Sequence, residues 1–436
     1  MIPDSSENAE RSAIRRLFSA RLPAIDAAAA RAEWLEIVEA RHQLWHNVSS
    51  PKAELIRGFF NVVNLEIVKR IRPSSVFDFR NASVGNLFIT GYFATDYLGA
   101  VPSLTHASAR LFTGSLESAI YLLSTVCEVP SSVAVLPAIN TNFSHHICAI
   151  LDEGTVIPGQ NMISHPLAQP SDTTISSNSA ALPDAGRDTL TRPSFLSTQD
   201  VYGTTRREVE YADAVEDANL PGSLPTLRKQ YIDFNKAQNG EDDLPGRISR
   251  IYYINPYGQE IRPAANSKIL TALSEAKAII YSVGSLYTSI IPSLVLRGVG
   301  DAIAAAGAST KVLILNGARD RESGPSRNPL EGLDFIQAIA KACKGSQSAT
   351  GEAQSSPLRT FVTHLIYLEG HGVPLVDRQA LLGLGIEPVK VYGRKSDGGG
   401  CRYDDQALTQ ALAFCIRGGK QSITEKSRSR RNTLES

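Results

Sequence analysis

The chain has 436 residues, 42% of them apolar, and Lys plus Arg balance Asp plus Glu at 44 each. That neutrality excludes a broad basic footprint for nucleic acid or anionic lipid, while the length admits one large domain or two ordinary ones. The five cysteines (Cys127, Cys148, Cys343, Cys401, Cys415) lack C-x-x-C spacing, which argues for reduced thiols in a cytoplasmic protein and against a disulfide framework or zinc site.

The opening MIPDSSENAERSAIRRLF is polar and carries acids, so it shows no secretory signal. His42 and His46 stand at HxxxH spacing, but Gln43 replaces the zincin glutamate. The expectation is a structural helix with Trp45 packed inward. Residues 74–79 (SSVFDF) form a short apolar run that reads as a strand. Residues 114–127 read as a helix, SVAVLPAIN as a second strand, and ICAILDEGTVIPGQ as a hairpin turning at Asp152-Glu153-Gly154. His145 and His146 are adjacent, so in a strand at most one faces a given side. Residues 166–200 are rich in Ser, Thr and Pro, and residues 201–247 are charged and weakly patterned. Such a stretch buries too little apolar surface to offset its ordering entropy, and 166–247 is expected to be a poorly ordered insertion.

From residue 249 onward, apolar runs alternate with amphipathic segments. ISRIYYINP, KAIIYSVG, TKVLILNG, FVTHLIYLEG and EPVKVYGR read as strands. SKILTALSEA, PSLVLRGVGDAIAAAG, LDFIQAIAKAC, RQALLGLG and DDQALTQALAFCI read as helices. Continuous apolar strands separated by helices imply a three-layer α/β fold, with a mostly parallel sheet covered on both faces and ligands at the carboxyl ends of the strands. The most apolar stretch, YSVGSLYTSIIPSLVLRGVG, is not a membrane span, because Pro292, Gly284 and several hydroxyls interrupt it. It reads instead as a strand end, a small-residue loop and a helix starting near Pro292. Residues 345–357 form a second loose loop, and the basic tail 418–436 is expected to be disordered.

Several motifs in one order carry a family resemblance. GSLYTSIIPSLVLRGV, ASVGNLFITG (82–91), VLPAIN followed by LDEGTVIPGQ, and INPYGQEIRPAANSKILTALSEA resemble the family of 2-phospho-L-lactate transferase and the bacterial gluconeogenesis factor. THLIYLEG, LGIEPVKVYGR and RYDDQALTQAL resemble its fungal and plant branch. The resemblance covers residues 10–165 and 248–416 and implies a single Rossmann-like α/β domain over 1–417. The chain departs from the pattern in three ways. The family's first strand and its GGGT-type loop are not recognisable, so Met1 is expected to enter the pattern late. Residues 91–108 look inserted, either as a lineage-specific loop or as an unspliced intron. Ser282-Val283-Gly284-Ser285 stands where the family has Gly-Pro-Gly-Ser.

The resemblance implies one of two functions. The transferase members move a phospholactyl group from a nucleotide diphosphate donor, with magnesium; the regulatory members bind a UDP-sugar. Either needs a diphosphate cradle, expected at Gly284, Ser285 and Thr288. Tyr287 either stacks on a base or packs in the core. Asn316 is expected to face the same crevice, with Arg319 reaching a phosphate or standing solvated. Gly85 and Asn86 contact the acceptor side or form a turn. Asp78 holds magnesium or serves structure. The expected partner is a nucleotide or nucleotide sugar, with neither nucleic acid nor membrane; monomer and homo-oligomer both stay open.

Overall fold

Four helices open the chain: α1 (Ser5–Ser19), α2 (Ala27–Val38), α3 (Ser50–Arg70) and α4 (Val84–Thr90). They belong to a computed structural model that describes residues 5–70, 77–90, 116–139, 145–164, 243–255, 257–307, 310–346, 356–395 and 400–417. Contacts divide the chain into one unit of Met1–Pro166 with Ser223–Ser436 and a second of Leu167–Gly222. The second unit lies outside the described residues. So do the rest of the expected insertion up to 242, all of the 91–108 stretch, most of 345–357 and the tail from 418.

The helices close around Trp34, which is fully buried against Phe60 and Phe79, with ring centroids 5.3 and 5.9 Å away. Both indole N–H groups find acceptors, as buried indoles usually do: Trp34 donates to Asn64 Oδ1 and Trp45 to the Ile37 carbonyl. Trp45 is buried as expected, but Gln43–Trp45 is a single 3₁₀ turn and not a helix. There His42 Nδ1 accepts from the Leu44 amide, and the HxxxH pair does not line one helix face. Helix α5 (Leu116–Val126) falls within the expected 114–127.

Strands β1 (His146–Leu151) and β2 (Val156–Pro158) form the expected hairpin and lead into α6 (Gln160–Ser164). Strand β3 (Ile248–Ile254) does not join the parallel sheet. It pairs antiparallel with β1, and β4 (Glu260–Ile261) with it, giving a sheet of order β2-β1-β3-β4. Its two faces differ: Ile251 and Tyr253 enter the main core, while on the other face Arg250 is exposed and only Ile254 is buried there, beside Cys148 and Tyr252. Two other expectations differ. The described part of SVAVLPAIN is irregular, with Val133 and Val135 exposed and Pro137 and Ala138 used as acceptors for Asn266. Residues 77–79 of SSVFDF are also not a strand.

The remaining elements are α7 (Ser267–Glu275), β5 (Ala278–Tyr281), a π-helical turn Leu286–Ile290 continuing into α8 (Ile291–Leu294), α9 (Val299–Ala305), β6 (Thr310–Ile314), α10 (Gly332–Ser346), β7 (His364–Tyr367), α11 (Arg378–Gly383), β8 (Glu387–Lys390), the hairpin β9 (Gly393–Lys395) with β10 (Cys401–Tyr403), and α12 (Asp405–Ile416). The predicted helix from Pro292 breaks at Gly298, whose φ of 94° is glycine's region. Strands β5-β6-β7-β8 form a four-stranded parallel sheet in sequence order. Leu313, Leu315, Leu365 and Tyr367 bury one face with α8, α9 and α10. Val312, Ile314, Ile366 and Leu368 bury the other with residues of α12. This alternation between two cores makes the three layers, and the parallel α/β expectation holds for these strands.

Candidate functional site

Ala278 pairs with Thr310 and Tyr281 with Leu313, so β5 and β6 end side by side. The loops that follow, 282–285 and 315–320, therefore rise at the same carboxyl edge, where parallel sheets bind ligands. One hydrogen bond ties them: the Gly284 amide donates to Asn316 Oδ1 at 3.1 Å. That bond leaves the Asn316 Nδ2 amino group as a donor on the half-exposed side. Gly284 allows the loop to fold over Ser289, since an added Cβ would sit 3.3 Å from the Ser289 Cβ.

The buried half of the loop is organised by Glu322, whose importance the sequence did not announce. This residue is 1% exposed and lies in the 3₁₀ turn Arg321–Ser323 after β6. Its Oε2 accepts from the amides of Tyr287 and Thr288, both at 2.9 Å. Its Oε1 accepts from the Thr288 hydroxyl and, at 2.8 Å, from Ser164. Burial pushes the carboxyl above its ordinary range, and these hydrogen bonds pull it back. A buried carboxylate with four donors satisfies the rule that interior polar groups are paired. Among the described residues, by contrast, no acceptor meets the amides of Ser285 or Leu286. The π-helical turn that starts there is a geometry enriched at functional sites; Leu286 is 1% exposed, so of the two residues only Ser285 is open to solvent.

Several expected site residues lie elsewhere or face another way. Tyr287 is 5% exposed, and its hydroxyl donates to the Ile248 carbonyl at 2.8 Å. It packs in the core and is not placed to stack on a base; burial pushes its hydroxyl's pKa up. Thr288 belongs to the Glu322 network through both its amide and its hydroxyl, so it does not face a phosphate. Gly85 is buried in α4, where an added Cβ would lie 2.5 Å from the Phe18 carbonyl oxygen. It is a helix-packing glycine. Asn86 is exposed, and its amide bonds the Ser83 hydroxyl. Asp78 forms a bidentate pair with the Arg80 guanidinium and also accepts from the Arg80 amide. Arg319 is exposed on the loop after β6, anchored by its own amide to the Gly372 carbonyl.

A cavity of about 370 Å³ opens behind this loop, between β3 and α10. Tyr287, Ile291 and Val295 line it together with Tyr252 and Ala338, with Arg250 and Lys341 among its charged groups. It touches the core side of the loop and not Ser285.

The parallel sheet, with a small-residue loop at its carboxyl edge, is an α/β architecture of the kind in which ligands bind at the strand ends. The family model for 2-phospho-L-lactate transferase CofD matches residues 72–372. "Uncharacterized protein YNL011C" of Saccharomyces cerevisiae is 34% identical over 362 residues, covering 81% of this chain and 74% of that protein. The chain belongs to the 2-phospho-L-lactate transferase (CofD) family. A Nostoc protein named "Putative gluconeogenesis factor" is 30% identical over 230 residues, which is 50% of this chain and 48% of the Nostoc protein. A crystal structure of a UPF0052-family protein from Bacillus halodurans aligns over 93% of this chain and 96% of its own, with 16% identity and a TM-score of 0.43. Among the described residues no helix is long and apolar enough to cross a membrane.

Proposed function

We propose that the chain binds a nucleotide or nucleotide sugar, with the diphosphate resting on the outer face of the 282–289 loop. The observation that supports this most is the unpartnered amide of the half-exposed Ser285, since a free backbone N–H group at a strand-to-helix loop suits a phosphate oxygen. Asn316 Nδ2 and the exposed Arg319 stand on the neighbouring strand's loop as further donors. The family match favours the same ligand class.

If the chain turns its ligand over, the reaction is transfer of a phospholactyl-type group, which depends on positioning and charge neutralisation. Asp78 does not fit the role of magnesium ligand, because Arg80 already engages both its oxygens. Among the described residues no group of three or more His, Cys, Asp or Glu is placed to hold a metal. In this reading magnesium arrives as the counter-ion of the ligand's phosphates. The alternative is a regulator that binds a UDP-sugar without turnover; the name "Putative gluconeogenesis factor" of the Nostoc relative favours the metabolic role alone.

Ser285 offers a clean test, because its φ of −59° already suits proline. S285P removes one amide donor with no change in φ; S285A removes only the hydroxyl. Calorimetry with guanosine diphosphate and UDP-glucose should show S285A close to wild type. S285P should lose roughly tenfold or more, the worth of one hydrogen bond to a charged group. Equal affinities for S285P and S285A would remove the loop from the binding site.

A further inference from the structure

We propose that the cavity between β3 and α10 is a separate binding site, for a small monoanion with an apolar body, such as a medium-chain carboxylate. The inference does not rest on the reading of the 282–289 loop as a diphosphate site, since Ser285 takes no part in the cavity.

One helix face and one strand build the cavity. Asp334, Ala338, Lys341 and Ala342 of α10 line it, spaced as neighbours along a single face. Ile291 and Val295, from α8 and the residue after it, supply more of its apolar wall. These aliphatic groups belong to the main core or pack against it, so the wall is fixed before any ligand arrives. At about 370 Å³ the space is small for a ligand pocket, near the low end of a range of roughly 300–1,000 Å³. Its size suits a short apolar chain.

The charges on the lining set the sign of the ligand. Arg247 pairs with Asp334 at 3.4 Å, and Arg250 holds Glu260 through two hydrogen bonds. Among the described residues, Lys341 and Arg262 have no carboxylate partner, and both are exposed. Lys341 gives one hydrogen bond to the Ser249 carbonyl at 2.8 Å, which leaves two of the ammonium's three donors. The remaining acid of the lining, Asp152, stands at the other end, its amide bonded to the carbonyl of Arg247, the partner of Asp334. Asp334 and Lys341 are two helical turns apart, about 10 Å along the axis. A carboxylate at the Lys341 end meets unmatched positive charge while its chain lies along Ala338 and Ile291. A ligand cation there would meet repulsion, and hydroxyls along the aliphatic wall would lose their water without a partner.

The probes are octanoate and octylamine, equal in chain length and opposite in charge at neutral pH. Calorimetry on the full chain, below the micellar range, should show octanoate bound and octylamine bound more weakly. K341E should weaken octanoate by about two- to fivefold, the worth of an exposed ion pair, and reverse the order of the two probes. A338W, which fills the cavity from α10, should lose both. Excess UDP-glucose should leave octanoate in place. Octylamine binding wild type as tightly as octanoate would overturn the proposal, as would an unchanged octanoate affinity in K341E or full binding in A338W. So would the absence of octanoate binding to wild type at millimolar concentration. Displacement of octanoate by UDP-glucose would also overturn it, by making the cavity the nucleotide site; no other outcome bears on the reading of the loop. Should A338W fail to fold, the order of the probes and its reversal in K341E still decide.

Discussion

ASVGNLF in the helical N-terminal region and SVGSLYT after β5 look alike as sequence: small residues around a glycine, followed by apolar ones. In α4 the glycine is buried, and a side chain there would meet the Phe18 backbone at 2.5 Å. After β5 the glycine is half-exposed, and the nearest obstacle is the Ser289 side chain at 3.3 Å. The first glycine brings two helices together; the second lets a loop fold back over its own Ser289. A glycine-rich motif marks a close approach, and only the partner across the gap tells whether that partner is protein or ligand.

The same contrast runs inside the loop, between its core-facing Tyr287 and its half-exposed Ser285, and it sets the largest expected effect. Tyr287→Ala removes a buried ring and the hydroxyl bond to Ile248. By analogy with other large aromatic truncations it should destabilise the fold by about 3–5 kcal/mol. Denaturant unfolding checks this, and a stable variant with a selective loss of ligand affinity would return Tyr287 to the binding surface. Next comes the glycine pair. Gly85→Ala should cost about 1–3 kcal/mol, because backbone must move to admit the new carbon. Gly284→Ala should cost less than about 1 kcal/mol, as expected where only a small exposed side chain must give. Equal costs at the two sites would erase the distinction between them.

The smallest effect is a pH dependence. Burial raises the Glu322 pKa above its unfolded value, so the folded chain holds that proton more tightly than the unfolded chain. The stability gained from this is complete below the ordinary carboxylate range and is lost as pH rises through the raised value. E322Q does not titrate. Its melting temperature relative to wild type should therefore be higher at pH 7 than at pH 4. A relative melting temperature that falls over the same interval would mean that the hydrogen bonds, and not burial, dominate the carboxyl.

The parallel strands and most of their helices were legible because β6, β7 and the helices between them are long enough for period and apolarity to speak. Strand β3 was equally legible as a strand, but its pairing was not: nothing local distinguishes a partner at β1, about a hundred residues earlier in the chain, from one at β5. SVAVLPAIN shows the reverse failure, since β-branched residues suit a strand but need a neighbour to pair with. Residues 243–247 were assigned to a poorly ordered insertion on charge, yet Leu244 is buried and Arg247 bonds the Asn328 and Pro329 carbonyls. At the site, Gly284 and Asn316 were found because strand ends converge. Glu322 was missed because an acid in NGARDRESG looks like a solvated loop residue until its four donors are in view. The available clue was that a loop after β6 must face the loop after β5, where loose amides attract a carboxylate.

A crystal structure with UDP-glucose bound tests the ligand site most directly. A diphosphate oxygen should lie at hydrogen-bond distance, about 2.7–3.2 Å, from the Ser285 amide nitrogen, with Glu322 still holding Tyr287 and Thr288. A ligand seated instead in the cavity between β3 and α10, with the Ser285 amide facing only water, would contradict it.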